Sequence, residues 1–427
     1  MTWQPPPRPD WVRAVNDGLI LPIAEVAELP FTRDSLLGEA RATFGLTDGG
    51  LTDGGMTDFG SDDFLEPLDV LLPALEDEAE LTVIGRWMTR RFLLRFLEVR
   101  LQLVAYVRDY PGVVDEEITE PLFVTGAPRT GTTILHALLA QDPDSRVPEG
   151  WELLRPVPPP SPDPTEYAAD ARIPLADREL RLPGQVAGEL DAIHVYRGRM
   201  HKECLSAMSF AFRSEEFTAR YHVPSYVEWY ERCDMRPAYE AHKLVLQILQ
   251  RRSRAVHWVL KSPVHLSALP TLFAVYPDAR LAITHRDPLT VLASLTSLVA
   301  TLRWAHSDQV DFAELGQYHE RMWSGTLDDL VTASTDGSLD RAHVHHVHYA
   351  DFMQDQIGTV GALYTAHGRA LAPTTAHAMR DYLAARPKDK HGAHEYSFAD
   401  LGLDPTVERE RFARYQHHFS IPEELTR

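Results

Sequence analysis

Two cysteines, Cys204 and Cys233, are all that 427 residues offer for disulfide chemistry. That is too few for a cross-linked framework, so the fold must rest on its core, and a reducing compartment is expected. Long apolar runs are missing as well. No stretch approaches 18 uninterrupted apolar residues, and the opening MTWQPPPRPDW has no charged segment leading into an apolar one. Neither a membrane-spanning helix nor a secretory leader is expected, and the chain reads as cytoplasmic. Positive charge is scarce: 42 Lys and Arg stand against 62 Asp and Glu, a net charge of −20. Such a balance argues against a surface that binds nucleic acid or anionic membrane, so any anionic ligand must be gripped by a few local cations. With 44% hydrophobic residues the chain can still bury a sizeable core.

Thr32–Phe44 has helical spacing, with Asp34 in the first turn. In the stretch 46–63 a Thr-Asp-Gly-Gly unit repeats. Its aspartates invite a calcium reading, but the distal glutamate of an EF-hand loop is missing, and a mobile acidic loop is the better expectation. Phe64–Tyr110 predicts two long helices. The second is apolar through Phe92, Leu93, Phe96, Leu97, Leu101, Leu103 and Val104, with Arg91, Arg95, Glu98 and Gln102 opposite as the expected wet side. Residues 1–115 therefore read as a helical extension packed on an α/β domain that occupies 116–427. Within that domain, the proline-dense stretch 155–174 suits an extended surface segment that could form part of a lid. Leu175–Arg254 reads mainly helical, which makes 151–254 an insertion with the most freedom to shape a substrate pocket.

The chain is organised around PLFVTGAPRTGTTILHALLA, residues 121–140. Leu122–Thr125 is a short β-prone run, Gly126–Gly131 a turn-rich loop, and Thr132 opens a helical pattern. A strand, a glycine loop and a helix start together build an anion site from unpaired backbone N–H groups and the positive end of the helix dipole. The spacing is nearly that of the nucleotide-binding P-loop, but Thr132 stands where the lysine belongs, and the first basic group is Arg129 inside the loop. A nucleotide without a γ-phosphate fits that arrangement better.

Strand and helix patterns alternate again further on: strand His257–Lys261, helix Leu266–Tyr276, strand Arg280–Thr284, helix Leu289–Leu302, strand His343–Tyr349 and helix Phe352–His367. That order predicts right-handed crossovers, a central parallel sheet and a three-layer, P-loop-like α/β sandwich. Ligands of such sheets bind beyond the carboxyl ends of the strands, where Arg129, Lys261 and Arg286 should converge. His343, His345, His346 and His348 could suggest a metal, but strand alternation sends the first two and the last two to opposite faces, and no metal is expected.

Pro128-Arg129-Thr130-Gly131-Thr132-Thr133 resembles the 5′-phosphosulfate loop of sulfotransferases that use 3′-phosphoadenosine 5′-phosphosulfate (PAPS), and is most similar to the bacterial branch with arginine in place of lysine. The resemblance implies PAPS as co-substrate, with Arg129, Thr130, Gly131, Thr132 and Thr133 around its 5′ end and Arg129 also at the chemistry. Arg286 and Ser294 match the family's arginine and serine, eight residues apart, that hold the 3′-phosphate. Lys390 and Gly392 are similar to the basic segment that closes over it. Lys261, in VLKSPVH, would neutralise charge on the leaving oxygen. The family's catalytic histidine, however, aligns with Pro263. The base must then be another group: Glu152 first, because Trp151 beside it suggests an apolar setting that raises a carboxyl pKa, His265 second and Glu149 third. The implied reaction is in-line sulfuryl transfer to a hydroxyl of a small molecule without a metal. A P-loop kinase or hydrolase with a degenerate loop and a non-catalytic nucleotide-binding protein are the alternatives.

Overall fold

The computed structural model describes residues 3–47, 57–190, 195–251, 257–386 and 398–424. Five parallel strands form one sheet: β1 Leu122–Gly126, β2 Ser145–Arg146, β3 His257–Lys261, β4 Arg280–His285 and β5 Val344–His348, in the order β2-β3-β1-β4-β5. β1 lies between β3 and β4, pairing Phe123 with Leu260 and Leu281. Both faces of the sheet are covered, as parallel sheets require. Phe123, Leu260, Leu281 and Ile283 point into the larger core, while Leu122, Val124, Val259 and Ala282 point into a second one with Leu135 and Leu138 of the helix after β1. The expected three-layer α/β fold is therefore what these residues build.

The short strand β2 has no counterpart among the expected elements, since two residues carry no periodicity. The helix expected over Leu266–Tyr276 starts as a tight turn at Pro263–Ala268 and becomes α-helical only over Leu269–Val275. The helix expected over Phe352–His367 is two, Tyr349–Gln354 and Gln356–Ala366, divided at Asp355, whose carboxylate caps the second on the Gly358 N–H. Of the acidic stretch 46–63, residues 48–56 lie outside the described residues.

The helix Val83–Asp109 corrects a second expectation. Its apolar side joins the larger core, but Arg95 is only 6% exposed, clasped by Glu179 (3.3 Å) and stacked on Phe96. Arg91 on the same side is exposed as expected, whereas Arg95 is closed off by the helix Arg172–Val186, which supplies Glu179. Gly85 marks where this long helix crosses the chain at His306: a Cβ there would lie 1.9 Å from the His306 carbonyl oxygen.

Candidate active site

The loop after β1 is built from residues that tolerate unusual backbone. Gly126 has φ 140° and packs so closely that a Cβ would sit 2.5 Å from the Thr284 carbonyl oxygen. Arg129 itself is left-handed at φ 67°, and Gly131 at φ 90° begins the helix Thr132–Leu139. Thr130 is buried and pins the loop from inside, donating to the Ala127 carbonyl (2.6 Å) and sharing a hydrogen bond with Thr284 (2.5 Å).

Three of the expected cations gather here. Arg129 donates from Nε to Ser294 Oγ (3.0 Å), and its carbonyl accepts from Arg286 Nη1 (2.9 Å). Arg286, just past β4, lies over the Tyr349 ring at 4.0 Å. Its Nε and Nη2 edge is held by the carboxylate of Glu424, at 3.0 and 2.7 Å. Lys261 closes β3 with a side chain 4% exposed, its Nζ 3.4 Å from Thr133 Oγ1 on the loop helix and ion-paired with Glu203. Arg129, Ser294 and Arg286 thus form one hydrogen-bonded unit, and Lys261 joins the same loop from the neighbouring strand.

Glu203 is the residue the sequence reading missed. It lies in a stretch expected to be helical, but 199–204 runs as irregular chain stitched to two neighbours. Cys204 N–H donates to the Lys261 carbonyl (3.0 Å), and Lys202 N–H donates to the Pro148 carbonyl (3.0 Å). These bonds hold Glu203 beside the strand end, so its carboxylate meets Lys261. Its only sequence signal is a Lys-Glu pair before an apolar run, too common to single out.

A cavity of about 740 Å³ opens over this constellation. Arg129, Thr132, Thr133, Arg286 and Tyr349 line it, as do Glu203 and Pro263. Further walls are apolar, among them Leu180, Pro183, Leu295, Leu298 and Leu302. Glu215 also faces the cavity, and burial, with Glu203 nearby, pushes its carboxyl up to about 7.

The expected bases are elsewhere. Glu152 is fully buried, ion-paired to Arg146, and accepts from the Glu149 N–H (2.7 Å) and the Tyr167 hydroxyl (3.2 Å). With Glu149 it forms the reciprocal cap of the helix Gly150–Leu154, which is what places both carboxylates away from the cavity. Glu149 also accepts from Trp151 Nε1 (2.8 Å). His265 is buried against Phe123, bonded through Nδ1 to the Tyr239 hydroxyl (2.9 Å), and burial holds it neutral. None of the three lines the cavity. Lys390 and Gly392 lie outside the described residues.

The remaining candidates are structural. On β5, His346 bonds His285 Nε2 (2.8 Å) and His348 stacks nearby, while His343 turns away to the Ala279 carbonyl. Burial pushes the Cys204 thiol up to about 12 and the Cys233 thiol up to about 11, so neither ionises near neutral pH.

Comparison with known proteins agrees with this geometry. The family model described as "Sulfotransferase family" matches residues 121–373. The omega-hydroxy-beta-dihydromenaquinone-9 sulfotransferase Stf3 of Mycobacterium bovis is 25% identical over 316 residues, covering 71% of this chain and 76% of its own. Among solved structures, sulfotransferase STF1 of Mycobacterium tuberculosis superposes with a TM-score of 0.76 at 34% identity, over 90% of this chain and 98% of that one. Sulfotransferase STF9 of Mycobacterium avium gives 0.82 at 26% identity, over 93% and 99%. No helix among the described residues is long and apolar enough to cross a membrane. A strand–loop–helix anion site, a lysine and a carboxylate facing one another at its edge, and a family match spanning the sheet lead to one assignment: the chain is an enzyme of the sulfotransferase family, which moves a sulfuryl group from a donor co-substrate to a small-molecule acceptor.

Proposed function

We propose that the donor is PAPS, that the acceptor is a hydroxyl on a largely apolar small molecule, and that Glu203 is the base. The observation that carries the reading is the ion pair between Glu203, which lines the cavity, and Lys261, which sits behind it against Thr133 of the loop helix. A transfer of this kind needs a group that accepts the hydroxyl proton and a cation that steadies charge on the departing oxygen. Glu203 and Lys261 are of those two types and touch one another, so proton uptake by the first and charge neutralisation by the second are coupled.

The residues present fit the donor. Gly126 and Gly131 leave room for the loop backbone, the helix start adds its dipole, and Arg129 supplies the charge that the P-loop lysine would. When bound, the donor supplies an activated sulfuryl group with a nucleotide as leaving group. Arg129 and Thr133 orient its 5′ end, Arg286 with the Tyr349 ring offers the 3′-phosphate a guanidinium, and the Leu295–Leu302 face of the helix Pro288–Trp304 excludes water from the acceptor side. Those apolar walls support an apolar acceptor, as does the omega-hydroxy-beta-dihydromenaquinone-9 in the name of the Mycobacterium bovis relative.

Calorimetry tests the donor. 3′-Phosphoadenosine 5′-phosphate is expected to bind without Mg²⁺ and far more tightly than ATP, and labelled PAPS is expected to transfer its sulfur in the presence of a chelator. Preferential binding of Mg²⁺-ATP would overturn the reading.

A further inference from the structure

Beyond the acceptor end of the first cavity lies a second one of about 340 Å³, and the two meet at Glu179, Leu180, Pro183 and Arg220, which line both. Its walls are partly apolar, with Met88, Phe92 and Leu182. Four guanidinium groups also face it: Arg91, Arg95, Arg155 and Arg220. Against them stand Glu39, Glu98 and Glu179. Glu39 is occupied by Arg90 from outside the cavity, and Glu179 is shared between Arg95 and Arg155. Burial raises the Glu98 carboxyl, and His306 is neutral, held down to about 3 by burial.

The arginines are under-used. Arg95 Nη1, Arg155 Nη1 and Arg220 Nε are buried nitrogens without a hydrogen-bond acceptor among the described residues. Arg95 is 7% exposed at its side chain, so water gives it little compensation. Arg220 lies over the Phe92 ring at 4.4 Å and makes no ion pair among the described residues. Buried polar hydrogens without acceptors are rare because each costs free energy, and three from separate arginines around one cavity mark a place built for an oxyanion.

We propose that this second cavity receives a carboxylate carried by the acceptor, with Arg220 as its principal contact, so that the substrate class is an apolar hydroxy acid: hydroxyl at Glu203, apolar chain along Leu180 and Pro183, carboxylate among the arginines. The reading of the first cavity as the site of transfer is the premise. Glu216 also faces Arg95 and Arg220, from the first cavity, and is paired with Lys202 (3.6 Å), so five cations stand against four glutamates, a small positive excess that suits a monoanion better than a doubly charged phosphate. A planar carboxylate also matches the two-pronged donor geometry of arginine.

Binding tests the proposal independently of turnover. 12-Hydroxydodecanoate and 16-hydroxyhexadecanoate, each beside its methyl ester, are titrated calorimetrically onto the protein saturated with 3′-phosphoadenosine 5′-phosphate. At least one acid is expected to bind about tenfold or more tightly than its ester. Arg220→Gln is expected to bring the acid down to the ester, and Arg220→Lys to restore part of the gap. Glu203→Gln should keep the preference while transfer slows roughly 10²–10⁴-fold. Equal affinity of acid and ester, an Arg220→Gln variant that weakens both alike, or no binding of either chain overturns the proposal. If acids are preferred while no label moves from PAPS, the transfer reading fails and the carboxylate site stands.

Discussion

The two ends of the large cavity are built on different principles. At the donor end nearly every polar group already has a protein partner: Arg129 on Ser294, Arg286 on Arg129 and Glu424, Thr130 on Thr284. At the acceptor end many walls are apolar, and Arg220 lies over an aromatic ring with its Nε lacking an acceptor among the described residues. A ligand common to a whole family is met by a preorganised, locally encoded grip, whereas a ligand particular to one member is met by a surface assembled from distant segments with polar capacity in reserve. Arg129, Thr130 and Ser294 are thus fixed before a ligand arrives, and only the Arg286 edge held by Glu424 has to be released.

The comparison is broken most directly at its midpoint. Glu203→Gln is expected to lower turnover roughly 10²–10⁴-fold while donor affinity, measured by calorimetry, stays near wild type. An active Glu203→Gln would return the base to an open question and leave Lys261 without its partner's chemistry. Next in size is Glu152→Ala, which strips the partner from Arg146 and from the Tyr167 hydroxyl in a buried setting. It is expected to cost about 3 kcal/mol in urea denaturation, with turnover per folded molecule unchanged. A catalytic defect without a stability defect would contradict the placement of Glu152 given above. On the donor side, Arg286→Ala is expected to weaken 3′-phosphoadenosine 5′-phosphate by about 2 kcal/mol, roughly thirtyfold, and AMP very little. Equal losses would make Arg286 a fold residue.

The smallest effect is on pH. Glu215 keeps its proton up to about 7, against an ordinary value of 4.5. Between those limits the folded protein holds a proton that the unfolded chain has released, so this group makes stability fall as pH rises through that window. Urea midpoints at pH 5 and 7.5 should lie closer together in Glu215→Gln than in the wild type. An unchanged difference would show that Glu215 is ionised throughout.

Legibility in the sequence follows the same division. The loop, the strands β3, β4 and β5 and the eight-residue step from Arg286 to Ser294 were readable because a strand end, a turn and a helix start sit within a few consecutive residues. Glu203 was not, since its position depends on Cys204 bonding to the Lys261 carbonyl, a contact across 57 residues of chain that no periodicity announces. Glu152 misled for a related reason. A glutamate after a tryptophan looks apolar in one dimension, and only the fold brings Arg146 and the Glu149 N–H to it. Arg95 misled likewise, because the Glu179 that closes over it comes far later in the chain.

If Arg286 holds the donor's 3′-phosphate as proposed, Glu424 gives that site a thermodynamic property of its own. Its carboxylate holds the Nε–Nη2 edge of Arg286, so a phosphate that takes that edge competes with a tethered anion present at a high effective concentration. Measured donor affinity is then a difference between two electrostatic attractions, and added salt screens both. The wild-type protein should lose donor affinity with rising ionic strength less steeply than Glu424→Gln does: the internal carboxylate buffers the site against salt, at the expense of its maximum grip.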